Sequence, residues 1–190
     1  LLRVRRETLV AEFVSASGYS TSDAGQLWDD QELFLDTLEP PRADTAAVNG
    51  SRDRYQVIRP RPLGTVLICL PSNAPIPLAA VLTATSALAG NRSVVTRPAP
   101  VTDVVDPILD CFDSQVAAFG FKGSTRNLLK TSLDHFDHLY FMGSSGAYVD
   151  VATSCAQAGT GLTFEGQGNG FAFVSESARS DLEFCARQIL

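Results

Sequence analysis

No apolar run in this chain of 190 residues is long enough to cross a membrane. The nearest, residues 76–90, is short, rich in alanine and interrupted by Pro77, Thr83, Thr85 and Ser86. Basic clusters are missing as well. With a net charge of −6 the chain has neither the surface nor the sign that nucleic acids or anionic membranes attract. Cysteine is sparse: Cys69, Cys111, Cys155 and Cys185 stand far apart, with neither the spacing of a zinc site nor the density of a disulfide scaffold. They read as reduced thiols, and the expected location is the cytoplasm. No signal peptide, internal repeat or low-complexity tract is evident. The chain starts Leu1-Leu2-Arg3 without a methionine, so it is expected to be a processed, trimmed or excised piece. What remains is 45 % hydrophobic residues, enough for the core of one ordinary domain, and small-molecule chemistry is the class that fits.

Residues 62–98, PLGTVLICLPSNAPIPLAAVLTATSALAGNRSVVTRP, organise the rest. Gly64 opens an apolar, β-branched run that reads as a buried strand over 65–70. Pro71 and Pro75 end it, since neither can supply a ladder hydrogen bond and each restricts the residue before it. From Pro77 an uncharged, alanine- and leucine-rich stretch predicts a helix buried on most sides, stopped at Gly90-Asn91. A strand over 93–96 follows. The loop between them lies at the carboxyl end of a strand, where open α/β sheets place ligands.

Upstream, apolar positions within 2–17 keep a helical period that Gly18 ends. A second helix, capped by Thr21 or Ser22 and closed by Pro40-Pro41, carries Leu27, Trp28, Phe34, Leu35 and Leu38 on one side. Residues 42–54 read as a loop. Residues 55–59 alternate like a strand, to pair with the strand at Val66 or to leave for an oligomerisation sheet. Downstream come a helix and short strand within 103–119, a helix at 124–132, strands at 139–142, 161–165 and 171–174, a small-residue helix at 145–158 and a charged helix at 181–190. This alternation predicts a parallel sheet covered on both faces.

Three ordered motifs then resemble the aldehyde dehydrogenase superfamily. They are the P-L-G, strand, P-x-N-x-P, helix, G-N, strand pattern just described, Phe141-Met142-Gly143-Ser144-Ser145 for F-T-G-S, and Phe164-Glu165-Gly166-Gln167-Gly168-Asn169 for E-L-G-G-K. The likeness runs from about Arg5 to Leu190, and it covers only the cofactor-binding part of such an enzyme. It implies an α/β, Rossmann-like parallel sheet with helices on both faces, preceded by an N-terminal helical hairpin. Residues 1–54 are the hairpin and loop, packing on the same domain. By the same resemblance, residues 55–190 are expected to form the NAD(P)-binding α/β domain, incomplete and without the catalytic domain.

The resemblance also assigns roles. Asn73 matches the asparagine that donates to a carbonyl oxygen gaining negative charge; by residue type alone it is also an ordinary turn asparagine. Glu165 matches the general base; by residue type alone it is a solvated carboxylate. Gly143 and Ser144 stand between a strand and a helix start, where free N–H groups can hold a pyrophosphate, and a plain N-cap serine is the alternative. Pro71, Ser72, Gly166 and Arg97 complete the expected cofactor contacts. Arg97 takes the place of a lysine, Pro100 of a glutamate that meets ribose hydroxyls, Tyr148 of a glycine and Asn169 of a lysine. An arginine without that glutamate leans toward NADP over NAD.

The family's nucleophilic cysteine lies downstream of the glutamate, and none of the four cysteines here fits it. Cys185 sits on an amphipathic helix face and Cys69 in a central strand, so both read as inert. The chain alone is expected not to turn over. Residues 134–138, Asp-His-Phe-Asp-His, carry metal-ligand types, but on an extended chain they point apart, and no metal site is expected.

The expected function is the dinucleotide-binding part of an NAD(P)-dependent enzyme that oxidises a small aldehyde to a carboxylic acid, expected to be a homo-oligomer. Two alternatives stay open: a CoA-linked acyl reductase of the same fold, and a non-catalytic dehydrogenase-like binding or assembly module.

Overall fold

The computed structural model describes residues 3–39, 61–71, 75–97, 102–112, 118–121 and 123–168, together with 173, 175, 176, 181, 183 and 184. Strand β1, Thr65–Cys69, runs through the middle of a five-stranded sheet. Its side chains alternate between the two faces, Val66 and Ile68 to one and Leu67 and Cys69 to the other, and all four are buried. A strand with no solvent face needs helices on both sides, and this requirement produces the layers that follow.

From β1 the chain runs through α3, Pro75–Leu88, to β2, Arg92–Thr96, and then through α4, Thr102–Leu109, to β3, Ala118–Phe121. It returns through α5, Thr125–Thr131, to β4, His138–Met142, and continues through α6, Ser145–Ala158, to β5, Gly161–Glu165. All neighbouring strands are parallel, in the order β3-β2-β1-β4-β5. Helices α3 and α4 cover the Val66 and Ile68 face, with α1, Arg6–Ser17, and α2, Thr21–Thr37, packed outside them. Leu9, Phe13, Ala24 and Trp28 join that core. Helices α5 and α6 cover the other face through Leu128, Val151 and Cys155.

Local chemistry sets the ends of these elements. Gly18 closes α1 in the left-handed region, its N–H returning to the Val14 carbonyl. The cap of α2 is Ser20, one residue before the expected Thr21 and two before Ser22. Ser20 keeps an extended backbone, and its Oγ accepts from the Asp23 N–H at 3.1 Å, whereas Thr21 is already helical. On α2, Phe34 is exposed rather than part of the apolar side, which centres on Ala24 and Trp28. Helix α3 starts at Pro75, two residues before the expected Pro77. A proline in the first turn forgoes only an N–H that has no helical partner. The strand expected at 55–59 lies outside the described residues, as do most of the strand at 171–174 and most of the helix at 181–190.

The amino end of the sheet is fastened by two side chains. Asn91 Oδ1 accepts from the N–H groups of Leu63, at 2.6 Å, and Gly64, at 3.1 Å, so the residue just before β2 also fixes the approach to β1. Asp137 Oδ2 accepts from the Thr65 N–H at 2.7 Å, while the Asp137 main chain donates to the Thr65 carbonyl and accepts from the Gly161 N–H. One aspartate therefore links the starts of β1, β4 and β5. Gly64 makes room for it. Its φ is +113°, and a Cβ there would lie 2.2 Å from Asp137 Oδ2.

Gly64→Ala is therefore expected to cost about 2 kcal/mol or more, measured as a fall in the midpoint of urea unfolding. In the Asp137→Ala background the same change should cost less, because one of its two penalties has been removed.

Candidate functional site

The chain leaves β1 toward α3 on one face of the sheet and leaves β4 toward α6 on the other. Between two strands whose continuations diverge, the carboxyl ends of a parallel sheet open into a crevice. The candidate site is that crevice. One part of it, a cavity of about 510 Å³, is lined by Pro71 after β1, Thr96 at the end of β2, and Met142, Gly143 and Ser144 after β4. An adjoining cavity of about 360 Å³ is lined by Pro71, Gly143, Glu165 and Gly166.

The structure thus brings Pro71, Gly143, Ser144, Glu165 and Gly166 to one edge of the sheet. Ser72 and Asn73 lie outside the described residues, as does Pro100. Ser144 stands at the N-cap of α6 with an extended backbone, yet its hydroxyl makes no cap hydrogen bond and is exposed. No acidic residue occupies the first turn of α6, so the positive end of the helix faces the crevice uncompensated. Gly143 is fixed by its N–H donating to the Glu165 carbonyl at 3.1 Å, and a Cβ there would run into the Phe141 ring.

Arg97 follows β2 but turns inward. Its guanidinium pairs with Asp106 on α4 and donates through Nε to the Phe121 carbonyl at 3.2 Å, with the side chain only 6 % exposed. Tyr148 lies on α6 with its ring 4.7 Å from that of Phe164, which stacks in turn on Phe141 at 6.0 Å. The carboxylate of Glu165, at the end of β5, accepts a hydrogen bond from the Tyr140 hydroxyl. Sequence reasoning missed Tyr140. Its only signal was a place two residues before Met142, and the pairing of β4 with β5 was needed to set it beside Glu165.

Two of the described thiols are poor nucleophiles, since burial pushes Cys69 up to about 12 and also raises Cys155. The Cys111 thiol donates to the Pro107 carbonyl. In the 134–138 segment, Asp137 is turned to β1 and His138 Nε2 lies 2.8 Å from the Thr163 hydroxyl. Among the described residues no three His, Cys, Asp or Glu side chains gather closely enough to hold a metal.

The sequence model of the aldehyde dehydrogenase family matches residues 16–190. The chain belongs to the aldehyde dehydrogenase family. Its fold is that of solved aldehyde dehydrogenases, although identity is low. A betaine aldehyde dehydrogenase from Staphylococcus aureus, in complex with NAD+, superposes with a TM-score of 0.72 at 16 % identity, covering 88 % of this chain and 35 % of that one. Lactaldehyde dehydrogenase from Escherichia coli gives 0.67 at 18 % identity, over 89 % of this chain and 37 % of that one. An NAD-dependent benzaldehyde dehydrogenase from Corynebacterium glutamicum gives 0.61 at 17 %, over 89 % and 39 %. This aldehyde dehydrogenase chain thus spans little more than a third of the length of the structures it matches. No curated protein sequence matches it. Among its described residues, no helix is long and apolar enough to cross a membrane.

Burial holds His138 below the ordinary histidine value of 6.5. The unfolded chain therefore binds a proton near pH 6.5 that the folded chain resists. The contribution to stability is complete above that pH and is lost as pH falls toward the lower folded value. Urea midpoints at pH 8 and pH 5.5 are expected to differ more for the native sequence than for His138→Gln, which cannot titrate. An equal fall in both would refute the assignment.

Proposed function

We propose that the chain is the dinucleotide-binding part of an enzyme that oxidises a small aldehyde to a carboxylic acid with NAD(P). The observation that carries this reading is the placement of a free Ser144 hydroxyl, Gly143 and an uncompensated helix N-terminus in the same crevice as Glu165. Donors and a positive helix end suit a pyrophosphate, and a carboxylate beside them suits proton transfer. When bound there, the dinucleotide supplies the hydride acceptor.

Gly143 and Ser144 would hold the pyrophosphate, with Pro71, Ser72 and Gly166 lining its path. Asn73, by its place between the two prolines, would donate to the substrate oxygen as that oxygen gains charge. Glu165 would take a proton from water as the water oxygen bonds to the acyl carbon and the bond from that carbon to an enzyme sulfur breaks. None of the four cysteines fits the place that the resemblance gives this sulfur, and burial of Cys69 and Cys155 further disfavours those two, so it is assigned to a part of the enzyme outside residues 1–190. Pro100 presents no carboxylate to ribose hydroxyls, which leans the proposal toward NADP. Arg97 is assigned to the adenosine end, where its pairing with Asp106 limits its reach.

Titration with NADP and NAD, followed by calorimetry, tests the reading. Saturable binding is expected, weakened about tenfold or more by Ser144→Trp, whose bulk would fill the crevice at an exposed position. Binding that ignores this change would remove the site assignment. No binding of either dinucleotide by the folded protein would favour a non-catalytic assembly module, a reading in which Tyr148 and the Arg97–Asp106 pair would be structural.

A further inference from the structure

The Glu165 carboxylate does not hang free at the mouth of its cavity. Parallel pairing of β4 with β5 sets Tyr140 beside Thr163 and Met142 beside Glu165. Tyr140 and Glu165 are therefore two residues apart on adjacent strands, and their side chains leave the same face of the sheet. That face is the one covered by α3 and α4, and the Tyr140 ring packs against its core, which fixes the phenol from below. The hydroxyl donates to Glu165 Oε1. Burial, with the hydrogen bond to Glu165 and its charge adding to it, raises the Tyr140 phenol above its ordinary value of 10.0, so it remains a protonated donor throughout the neutral range.

We propose that Tyr140 is a positioning residue: it clamps Oε1 of Glu165 to the sheet and leaves Oε2 as the oxygen that receives a proton from a reactant in the cavity lined by Pro71, Gly143 and Gly166. A glutamate at a strand end otherwise samples many rotamers, and a proton acceptor held in one of them spends more time within reach of its donor. Nothing else among the described side chains restrains this carboxylate. The catalytic use of the clamp rests on the general-base reading of Glu165. The clamp itself does not.

Two measurements on the complete enzyme separate these claims. In protein labelled with 13Cζ-tyrosine, the Tyr140 resonance, assigned by its loss in Tyr140→Phe, is expected to move in Glu165→Gln and to begin titrating at lower pH, while those of Tyr19 and Tyr148 stay in place. A Tyr140 resonance that does not respond overturns the clamp. In steady-state aldehyde oxidation, Tyr140→Phe keeps the packed ring and loses only the hydroxyl. It is expected to lower kcat roughly 10- to 100-fold with KM for the dinucleotide unchanged. Full turnover by Tyr140→Phe, in an enzyme that Glu165→Gln disables, overturns the positioning role. Full turnover by Glu165→Gln, with the Tyr140 resonance still responding to it, overturns the general-base reading and the catalytic use of the clamp together.

Discussion

The structure depends on one constraint, that β1 has no face left for water. Val66, Leu67, Ile68 and Cys69 are all buried, so apolar layers must form above and below the same five residues. With α3 on one side of the strand and α6 on the other, the connections from β1 and β4 must part company at their carboxyl ends. The crevice that holds Pro71, Gly143 and Ser144 is the geometric remainder of that parting. Hydrophobic burial and site placement are here a single fact. Disturbing either layer would tilt α6 or α3 and so change the separation of Gly143 from Pro71.

The opposite end of the sheet shows how polar groups complete what burial begins. Parallel strands enter with N–H groups that no neighbouring strand fills. Asn91 and Asp137 fill those positions for the approach to β1, the start of β1 and the junction with β5. Of the Asp-His-Phe-Asp-His segment, Asp137 and His138 thereby serve the architecture of the sheet. Asp137 reaches across to β1 while His138 faces Thr163 on β5, so adjacent residues on an extended chain serve different strands.

Much of this was legible in the sequence because it was local. The uncharged run 76–90, the boundaries Ser145–Ala158 and Gly161–Glu165, and Gly18 as the stop of α1 follow from periodicity and capping chemistry. The motifs that resemble the family also led to the right class of fold, and five of the expected site residues meet at one edge of the sheet. What the sequence withheld depends on pairing between distant strands or helices. Tyr140 and Glu165 are 25 residues apart and meet only through the register of β4 with β5. Ser20 displaced Thr21 and Ser22 as a cap for a different, local reason. Choosing among adjacent hydroxyls requires the backbone angle at each, which residue type alone does not set.

Arg97 joins these two levels. The family resemblance implies a cofactor role for it, whereas the fold has already committed one guanidinium nitrogen to Asp106 and another to the Phe121 carbonyl. The forked guanidinium joins β2 to both α4 and β3 through two separate nitrogens in a fixed geometry, which the single nitrogen of a lysine does not reproduce. Because the side chain is 6 % exposed, breaking the pair would leave a charge with little access to water, and such separations are expensive. The more economical role is therefore one in which Arg97 keeps Asp106 and neutralises a carboxylate near the end of β2. An anionic ligand approaching Thr96 then meets no net negative charge from that pair. In the proposed reading, Arg97 would then act on a ligand through this neutralised pair and without leaving the core. In the reading proposed above, direct contact then falls to the positive end of α6 and the Ser144 hydroxyl, which line the crevice.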